Sequence, residues 1–353
     1  MIHSFVRPGL AAAAALFCLS AAAAPGIVAT IATDKASLGP GEDVVVRVTL
    51  TNTTDKAQRL LKWQTPFGPV EEALFDVSRD GVPVAYEGRH VKRPAPTLAD
   101  YVVLQPGKSY SATVELSALY DMSMTGDYAI RYRSHVAPGQ LQELASDSSK
   151  KAPVDDDLLQ SDALQVYIEG TNQPRASVFV PQGEASLAFS QCSASQQSSI
   201  TSALSAARTM AADANTYLAA GKSGTRYTKW FGTYDATRYA TVTSHFVNIK
   251  DALDNKPITV DCSCKESYYA YVYPTQPYKI YVCNAFWSAP TSGTDSKGGT
   301  LIHETSHFNV VAGTDDWAYG QSAAASLAKR NPKRAIDNAD SHEYFGENTP
   351  ALQ

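Results

Sequence analysis

The stretch of residues 300–320 constrains the fold of this 353-residue chain more than any other, because its first half requires a helix. The pattern His303-Glu304-x-x-His307 places two imidazoles one helical turn apart on the same face. Two ligands of a single zinc ion need that spacing. Glu304 falls beside them, where its carboxylate can act as general base for a zinc-activated water. The alternative is an ordinary amphipathic helix with two surface histidines, because the five-residue pattern arises by chance in about one chain of this length in a hundred.

The residues after this pattern offer a third ligand. Gly313 is predicted to end the helix, and Thr314 can cap a new one. Asp315 and Asp316 would then lie in the first turn of the second helix, where carboxylates are favoured. A turn at residues 311–314 would fold that helix back, so that one carboxylate reaches the metal. A fourth position would stay open for water and substrate, as a catalytic zinc site needs.

The sequence HETSH followed by GTDDWAYG resembles the signature of the aspzincin, or deuterolysin, family of secreted zinc metalloendopeptidases, HExxH plus GTxDxxYG, without a gap. The resemblance implies that one zinc ion per chain is held by His303, His307 and the second of the two adjacent aspartates, Asp316. It also implies that Glu304 is the general base and that Tyr319 supports the oxyanion of the tetrahedral intermediate.

The segment NADSHEYFGEN at residues 338–348 resembles, more narrowly, the peptidyl-Lys metalloendopeptidase branch of that family. Asp340 and Glu343 match acidic positions that bind the ammonium group of a substrate lysine, so the resemblance implies cleavage on the amino side of lysine. Together with Asp337 they fall at three-residue steps and form one acidic strip, which without the resemblance is typical of a solvated helix face.

The alternatives are a broad-specificity deuterolysin-like protease or exotoxin, and a non-catalytic binding protein with a structural zinc site. An intact Glu304 argues against the structural site, which needs no base.

The first 24 residues are typical of a secretory signal peptide. Arg7 supplies positive charge, an alanine- and leucine-rich run follows, and small residues end it. That run is too short and too alanine-rich for a good membrane span, and no other stretch approaches the ~20 apolar residues required. A net charge of -5 and a pI of about 5.8 indicate no polybasic surface for nucleic acid or anionic lipid. We therefore expect a secreted protein with protein or peptide substrates, no nucleic-acid partner and no membrane span.

Four cysteines remain after the signal peptide, and an even count in an exported chain indicates disulfides, with three possible pairings. Bridging Cys262 to Cys264 would strain a very small loop. A Cys-x-Cys zinc cluster is the alternative. The resemblance to the peptidyl-Lys branch implies the pairs Cys192–Cys262 and Cys264–Cys283.

The character of the sequence changes along the chain, which predicts two domains. Residues 25–170 hold short strands separated by turn signals, typical of an all-β sandwich of immunoglobulin-like type. Residues 171–187 carry prolines and turn residues and are predicted to be a linker and processing region. Residues 188–353 are predicted to be an α-rich α+β zincin catalytic domain with a small antiparallel sheet. By position, the resemblance implies that the first domain is a prodomain, an intramolecular inhibitor or chaperone; a permanent accessory domain is the alternative.

Within the predicted catalytic domain, apolar spacing predicts a helix at residues 195–220 and continuing helix at 226–253. An edge strand near residues 271–273 or at Tyr281 could hold a substrate backbone by strand addition. Outside the motif, His90 and His135 are isolated from any ligand pattern and are expected at surface or strand positions. His245 lies on the apolar face of a predicted helix, where a satisfied core or surface histidine is expected and a metal ligand is the alternative.

Overall fold

The structure is a computed structural model that describes residues 26–135, 158–173 and 183–353. The predicted signal peptide and the middle of the predicted linker lie outside these described residues. Within them, no helix is both long enough and apolar enough to cross a membrane.

The described part before residue 174 consists mainly of strands, as the alternation of β-branched residues predicted. In β3, for example, Val46, Val48 and Leu50 are buried and every second residue is more exposed, which is the period of a strand with one face on a core. The strands are β1 (Ile27–Ala32), β2 (Ser37–Leu38), β3 (Val45–Asn52), β4 (Gln58–Leu61), β5 (Phe75–Arg79), β6 (Val82–Pro83), β7 (His90–Lys92), β8 (Tyr101–Leu104), β9 (Ser109–Glu115), β10 (Gly126–His135), β11 (Leu158–Gln160) and β12 (Leu164–Ile168).

These strands form two main sheets. One has the order β1-β3-β9, and the other has the order β2-β12-β10-β5-β6 with β11 also paired to β10. A smaller pair joins β4 to β8. One apolar cluster takes residues from both main sheets, including Val48 of β3 and Ile130 of β10. The N-terminal part is therefore β-rich with its own core, and its immunoglobulin-like type stays a prediction.

The part after residue 183 is mainly helical. The helices are α1 (Ala194–Ala219), α2 (Thr225–Phe231), α3 (Ala236–Asn255), α4 (Asn284–Ser288), α5 (Lys297–His307), α6 (Gln321–Arg330), α7 (Pro332–Ala335) and α8 (Ala339–Glu347). The Ser193 side chain begins α1 by accepting from the amide of Gln196. The predicted continuous helix at 226–253 is wrong, because Gly232 adopts φ = 80° and Asp235 caps a separate helix, α3.

The sheet of this part is mixed, so the prediction of a small antiparallel sheet is wrong. Its own strands are β13 (Ser186–Ser190), β14 (Pro257–Asp261), β15 (Ala270–Val272) and β16 (Lys279–Val282). The order is β13-β14-β16-β15, in which the first two pairs are parallel and the last is antiparallel. Three helices, α1 to α3, connect β13 to β14, and such a crossover joins parallel strands.

A fifth strand completes this sheet, and it comes from the N-terminal part. β7 pairs antiparallel with the edge strand β15, with Lys92 opposite Ala270 and Val91 opposite Tyr271. The edge near residues 271–273 was predicted to hold a substrate by strand addition. In the full chain, the protein's own residues 90–92 occupy that edge.

Two disulfides join Cys192 to Cys262 and Cys264 to Cys283, the pairing that the resemblance implied. The first ties the start of α1 to the end of β14, and the second ties the loop before β15 to the start of α4. Both lie within the C-terminal part.

The two disulfides are expected to contribute unequally to stability. Their sequence separations are 70 and 19 residues, and a cross-link that closes a longer loop removes more entropy from the unfolded chain. Replacing Cys192 and Cys262 together by serine should lower the free energy of unfolding by about 4 kcal/mol, and replacing Cys264 and Cys283 by about 3 kcal/mol. Urea unfolding of the two double variants checks this order, and a reversed order would contradict it.

Candidate active site

The helix that carries the motif, α5, is buried along its whole length. The Ser296 hydroxyl begins it by accepting from the backbone amide of Gly299 at 2.9 Å. The Glu347 carboxylate of α8 in turn accepts from the amide and the hydroxyl of Ser296, both at 2.8 Å. These contacts join the end of α8 to the start of α5 and so fix the two helices relative to each other.

Two histidines of α5 and one aspartate converge inside the protein. The Nε2 atom of His303 lies 3.2 Å from Oδ1 of Asp316, and the Nε2 atom of His307 lies 3.4 Å from Oδ2 of the same residue. All three side chains are fully buried. The structure therefore brings both predicted histidine ligands against the two carboxylate oxygens of the predicted aspartate ligand.

The backbone that carries Asp316 differs from the prediction. The first helix ends at His307 instead of reaching Gly313, and no helix begins at Thr314. Instead, Asp315 forms a bridge with Asn338, in which the Asp315 amide donates to the carbonyl of residue 337 at 2.8 Å. This pairing with a distant segment holds the backbone extended.

The two adjacent aspartates point to different partners. Asp315 lies 3.0 Å from Nη2 of Arg133 in the N-terminal part, and Asp316 faces the histidines. Asp315 also lies 3.7 Å from Nε2 of His90, so its carboxylate contacts residues of the N-terminal part.

The buried polar atoms of this site fit a zinc ion. Among the described residues, Nε2 of His303, Nε2 of His307, both Asp316 oxygens and both Glu304 oxygens have no hydrogen-bond partner. Buried polar atoms are nearly always paired, so this concentration of unpaired donor atoms calls for a cation. Two imidazoles and a carboxylate are the ligand set of many catalytic zinc sites.

Neighbouring groups hold both imidazoles in the orientation that a metal needs. The Nδ1 atom of His307 lies 2.6 Å from the Thr314 carbonyl and donates to it, which leaves the lone pair on Nε2. The Nδ1 atom of His303 lies 2.9 Å from Oδ1 of Asp340. With their Nδ1 atoms against these oxygens, the Nε2 atoms of both histidines face the carboxylate of Asp316.

Glu304 is fully buried beside the histidines. Burial raises the pKa of its carboxyl to about 7, and the charges of His303 and His307 oppose that rise. A cation bound at the histidines would lower the pKa again, towards the carboxylate form that a general base requires. The protonation of Glu304 would therefore respond to a cation bound at the histidines.

The predicted acidic strip on α8 is not a solvated face. Asp340 and Glu343 are 1% and 0% exposed. Asp337 precedes α8 and accepts from the indole Nε1 of Trp317 at 3.0 Å, apart from the other two. Asp340 and Glu343 therefore form a buried acidic pocket without Asp337.

Lys92 of β7 fills this acidic pocket. Its Nζ atom lies 2.5 Å from Oε2 of Glu343 and 3.4 Å from Oδ1 of Asp340, and 5.1 Å from the ring centre of Tyr269. Burial lowers the pKa of Lys92, but the two carboxylates outweigh that effect and hold the pKa well above its usual value. The pocket thus binds a charged ammonium group.

Tyr319 lies beside the peptide that precedes Lys92. Its hydroxyl is 3.1 Å from the carbonyl oxygen of Val91 and 2.5 Å from Oε1 of Glu72. The Nη1 atom of Arg93 also donates to this hydroxyl at 3.1 Å. The predicted oxyanion donor therefore contacts the carbonyl on the amino side of a lysine.

The three histidines outside the motif have different outcomes. His90 is in a strand, as expected, but it is buried and its ring stacks on His307 with centroids 4.6 Å apart. With His307 and Asp316 it forms a group that could hold a metal ion, so the expectation that His90 is isolated from any ligand pattern is wrong. Nδ1 of His245 lies 3.0 Å from Nε2 of the buried His342, away from the predicted ligands. The side chain of His135 lies outside the part of the chain that the structure describes.

Sequence reasoning missed every residue that the N-terminal part contributes to this region. The run at 89–93, with three basic residues and one histidine, was the sequence signal that could have revealed them. Its positive charge complements the acidic pair Asp340 and Glu343 of the C-terminal part. The missed residues include Glu71, Glu72, Arg89, His90, Val91, Lys92, Arg93 and Arg133.

Comparisons with known proteins identify the family. Residues 216–347 match the aspzincin family model, described as lysine-specific metallo-endopeptidase. The chain is similar to the extracellular protease of Aeromonas hydrophila, with 50% identity over 320 residues that cover 89% of this chain and 90% of that protein. It is also similar to the peptidyl-Lys metalloendopeptidase of Armillaria mellea, with 39% identity over 355 residues that cover 95% of this chain and 96% of that protein.

Among solved structures, the zinc peptidase from Grifola frondosa is 46% identical, with a TM-score of 0.44 and coverage of 46% of this chain and 100% of that one. The near full-length similarity to the two curated proteins decides the assignment. The chain therefore belongs to the aspzincin family of zinc metalloendopeptidases.

Proposed function

We propose that this chain is the precursor of a secreted zinc endopeptidase that hydrolyses peptide bonds on the amino side of lysine. The observation that carries the proposal is the buried pair Asp340 and Glu343, whose carboxylates already hold an ammonium group. The carbonyl just before that lysine faces Tyr319. An endopeptidase with this arrangement would select lysine at the first residue after the cut bond.

In this proposal His303, His307 and Asp316 hold one zinc ion, in accord with their convergent unpaired atoms. When bound, zinc supplies a Lewis acid that lowers the pKa of water and polarises a carbonyl. Asp340 orients His303 through Nδ1, as carboxylates commonly do for zinc-binding imidazoles.

Glu304 and Tyr319 would carry the proton transfer and the charge stabilisation. Glu304 takes a proton from the attacking water and later returns it to the nitrogen of the leaving amine. Tyr319 donates its hydroxyl to the carbonyl oxygen as negative charge develops there. The edge strand β15 aligns the substrate backbone, as it aligns β7 in the full chain.

The acidic pocket would favour lysine over arginine. Nζ of Lys92 is enclosed by two carboxylates, with the ring centres of Tyr269 and Tyr344 at 5.1 and 6.0 Å. The planar guanidinium of arginine is wider than an ammonium group and needs donors in a fixed fork. We therefore expect arginine substrates to be cut less well.

The N-terminal part is proposed to be an inhibitory prodomain, and the domain limits stay those predicted: a signal peptide at 1–24, the prodomain at 25–170, a linker at 171–187 and the enzyme at 188–353. One refinement follows from β13, which begins at Ser186 inside the predicted linker. A cut that keeps the catalytic sheet intact would fall before it. The predicted signal peptide and the two disulfides support the proposal of secretion.

The two alternatives lack comparable support. A broad-specificity protease or exotoxin needs no buried pair of carboxylates for an ammonium group. A binding protein with a structural zinc site needs no buried Glu304 with both oxygens unpaired.

The proposal is tested by digesting a denatured protein mixture with the matured enzyme. Mass spectrometry of the new amino termini should show lysine first in the large majority of peptides, with arginine rare. A parallel digest with the Glu304→Gln variant controls for contaminating proteases. A new-terminus profile without lysine preference would remove the specificity and leave the broad-specificity alternative.

A further inference from the structure

Residues 89–93, here called the strap, cross the proposed catalytic centre in the register of a substrate. The strap pairs with the edge strand β15, Lys92 fills the acidic pocket, and the Val91 carbonyl lies 3.1 Å from the Tyr319 hydroxyl. The peptide bond from Val91 to Lys92 therefore occupies the position at which a substrate would be cut.

The pocket and Lys92 satisfy each other electrostatically. The Lys92 side chain is 1% exposed, and burial of an unpaired ammonium group is strongly unfavourable. Asp340 and Glu343 are equally inaccessible, so without a cation two buried carboxylates would face each other. A substrate lysine can enter only if Lys92 leaves.

Two arginines tie the strap to the N-terminal part on both sides of the Val91–Lys92 bond. Before the bond, Arg89 pairs with Glu71. After it, Nη2 of Arg93 lies 2.6 Å from Oε2 of the same Glu71, and Arg93 also pairs with Glu72. Glu71 and Glu72 are 7% and 6% exposed and the Arg93 side chain is 3% exposed, so the two ion pairs of Arg93 are shielded from solvent, whereas Arg89 is 27% exposed. The paired guanidinium of Arg93 also donates to the Val91 carbonyl at 3.1 Å.

We propose that the strap is a substrate-mimicking inhibitor, in which Lys92 blocks the lysine pocket and Glu71 holds both flanks of the blocked bond. The inference rests on the proposed lysine specificity and names how that site is kept closed. Hydrolysis of the bond would add water across the amide, leaving a carboxylate on Val91 and an amine on Lys92. Both new ends would remain attached to Glu71 through Arg89 and Arg93, so this cut alone would not open the cleft.

Release then requires that the N-terminal part leave as a whole after a cut near the linker. No lysine lies between Lys151 and Lys222, so a lysine-specific enzyme has no preferred site there. Release of the N-terminal part therefore requires a cut by a second protease.

The test compares uncleaved full-length chains: wild type, Lys92→Ala, Glu71→Gln and, as matched control, Lys108→Met at an exposed lysine of the N-terminal part. Intact mass and thermal unfolding first establish that each chain is whole and folded, and Lys92→Met replaces Lys92→Ala if the alanine variant fails to fold. The initial rate on a short Xaa-Lys peptide should rise at least tenfold above wild type for Lys92→Ala and Glu71→Gln, and not for Lys108→Met.

A second readout is independent of turnover. In the Glu304→Gln background, a fluorescent peptide with a single lysine should bind the Lys92→Ala chain, as measured by polarisation, and should not bind the chain that keeps Lys92.

Three results would overturn the inference. A folded Lys92→Ala chain as inactive as wild type would refute the mimicry, and the proposed function would survive if the matured enzyme still cuts before lysine. A matured enzyme without lysine preference would remove the proposed function and this inference together. Wild-type chain that becomes active on cutting only at Val91–Lys92 would refute the role of Glu71.

Discussion

Replacing Glu304 by glutamine is expected to lower kcat/KM of the matured enzyme by about 10²–10⁴-fold, because the amide cannot take the proton of the attacking water. The substitution keeps the size of a side chain that is fully buried in α5, so the fold and the zinc content should remain. Activity on an Xaa-Lys peptide and zinc by elemental analysis are the two measurements. Hydrolysis near the wild-type rate would disprove the assignment of the base.

The adjacent aspartates supply the controls for that experiment. Asp316→Ala should lose zinc itself, because its carboxylate faces both histidines. Asp315→Ala should retain zinc, because Asp315 pairs with Arg133 of the N-terminal part. Equal zinc loss in the two variants would contradict the proposed ligand set.

Replacing Glu343 by glutamine is expected to cost on the order of 2–4 kcal/mol in transition-state binding of lysine substrates, about 30- to 1000-fold in kcat/KM. The physical reason is the loss of the carboxylate that lies closest to the ammonium group in a pocket closed to solvent. Zinc content should stay near that of wild type. The measurement is kcat/KM of the matured variant on matched peptides with lysine or norleucine after the cut bond.

Asp340→Asn is expected to act on two properties at once. Asp340 contacts the lysine ammonium, but it also lies 2.9 Å from Nδ1 of His303 and accepts from the Gly320 amide at 2.6 Å. Both lysine preference and zinc affinity should therefore fall. Asp337→Asn is the matched control, since Asp337 lies outside the pocket and should leave the preference for lysine unchanged. The assignment of the lysine pocket would be refuted if Asp337→Asn lost the preference for lysine, or if Glu343→Gln kept it in full.

The parts of the site that depend on local sequence could be predicted. His303 and His307 share a helix face because their four-residue spacing matches the helical period. Asp316 reaches them, as the resemblance implied, but the expected second helix was wrong. The backbone there is fixed by the bridge between Asp315 and Asn338, which lies more than twenty residues later in the chain. Local sequence propensity does not encode such a long-range pairing.

The parts that depend on long-range packing could not be predicted. Asp340 and Glu343 have the spacing of an ordinary charged helix face, and only the tertiary fold makes them buried. Lys92 lies 248 positions before Asp340, and the pairing of β7 with β15 follows from two strands meeting edge to edge. Such contacts between distant segments leave no periodic signal in the sequence.

The placement of the disulfides decides how the N-terminal and C-terminal parts of this chain can separate if the proposed cleavage takes place. Every cysteine after the signal peptide is bonded within residues 192–283. After a cut before Ser186, no covalent link joins the inhibitory fragment to the enzyme, while the enzyme keeps both of its cross-links. Dissociation is then a concentration-dependent equilibrium. Dilution would therefore favour the free enzyme, and a high concentration of the released fragment would favour the complex.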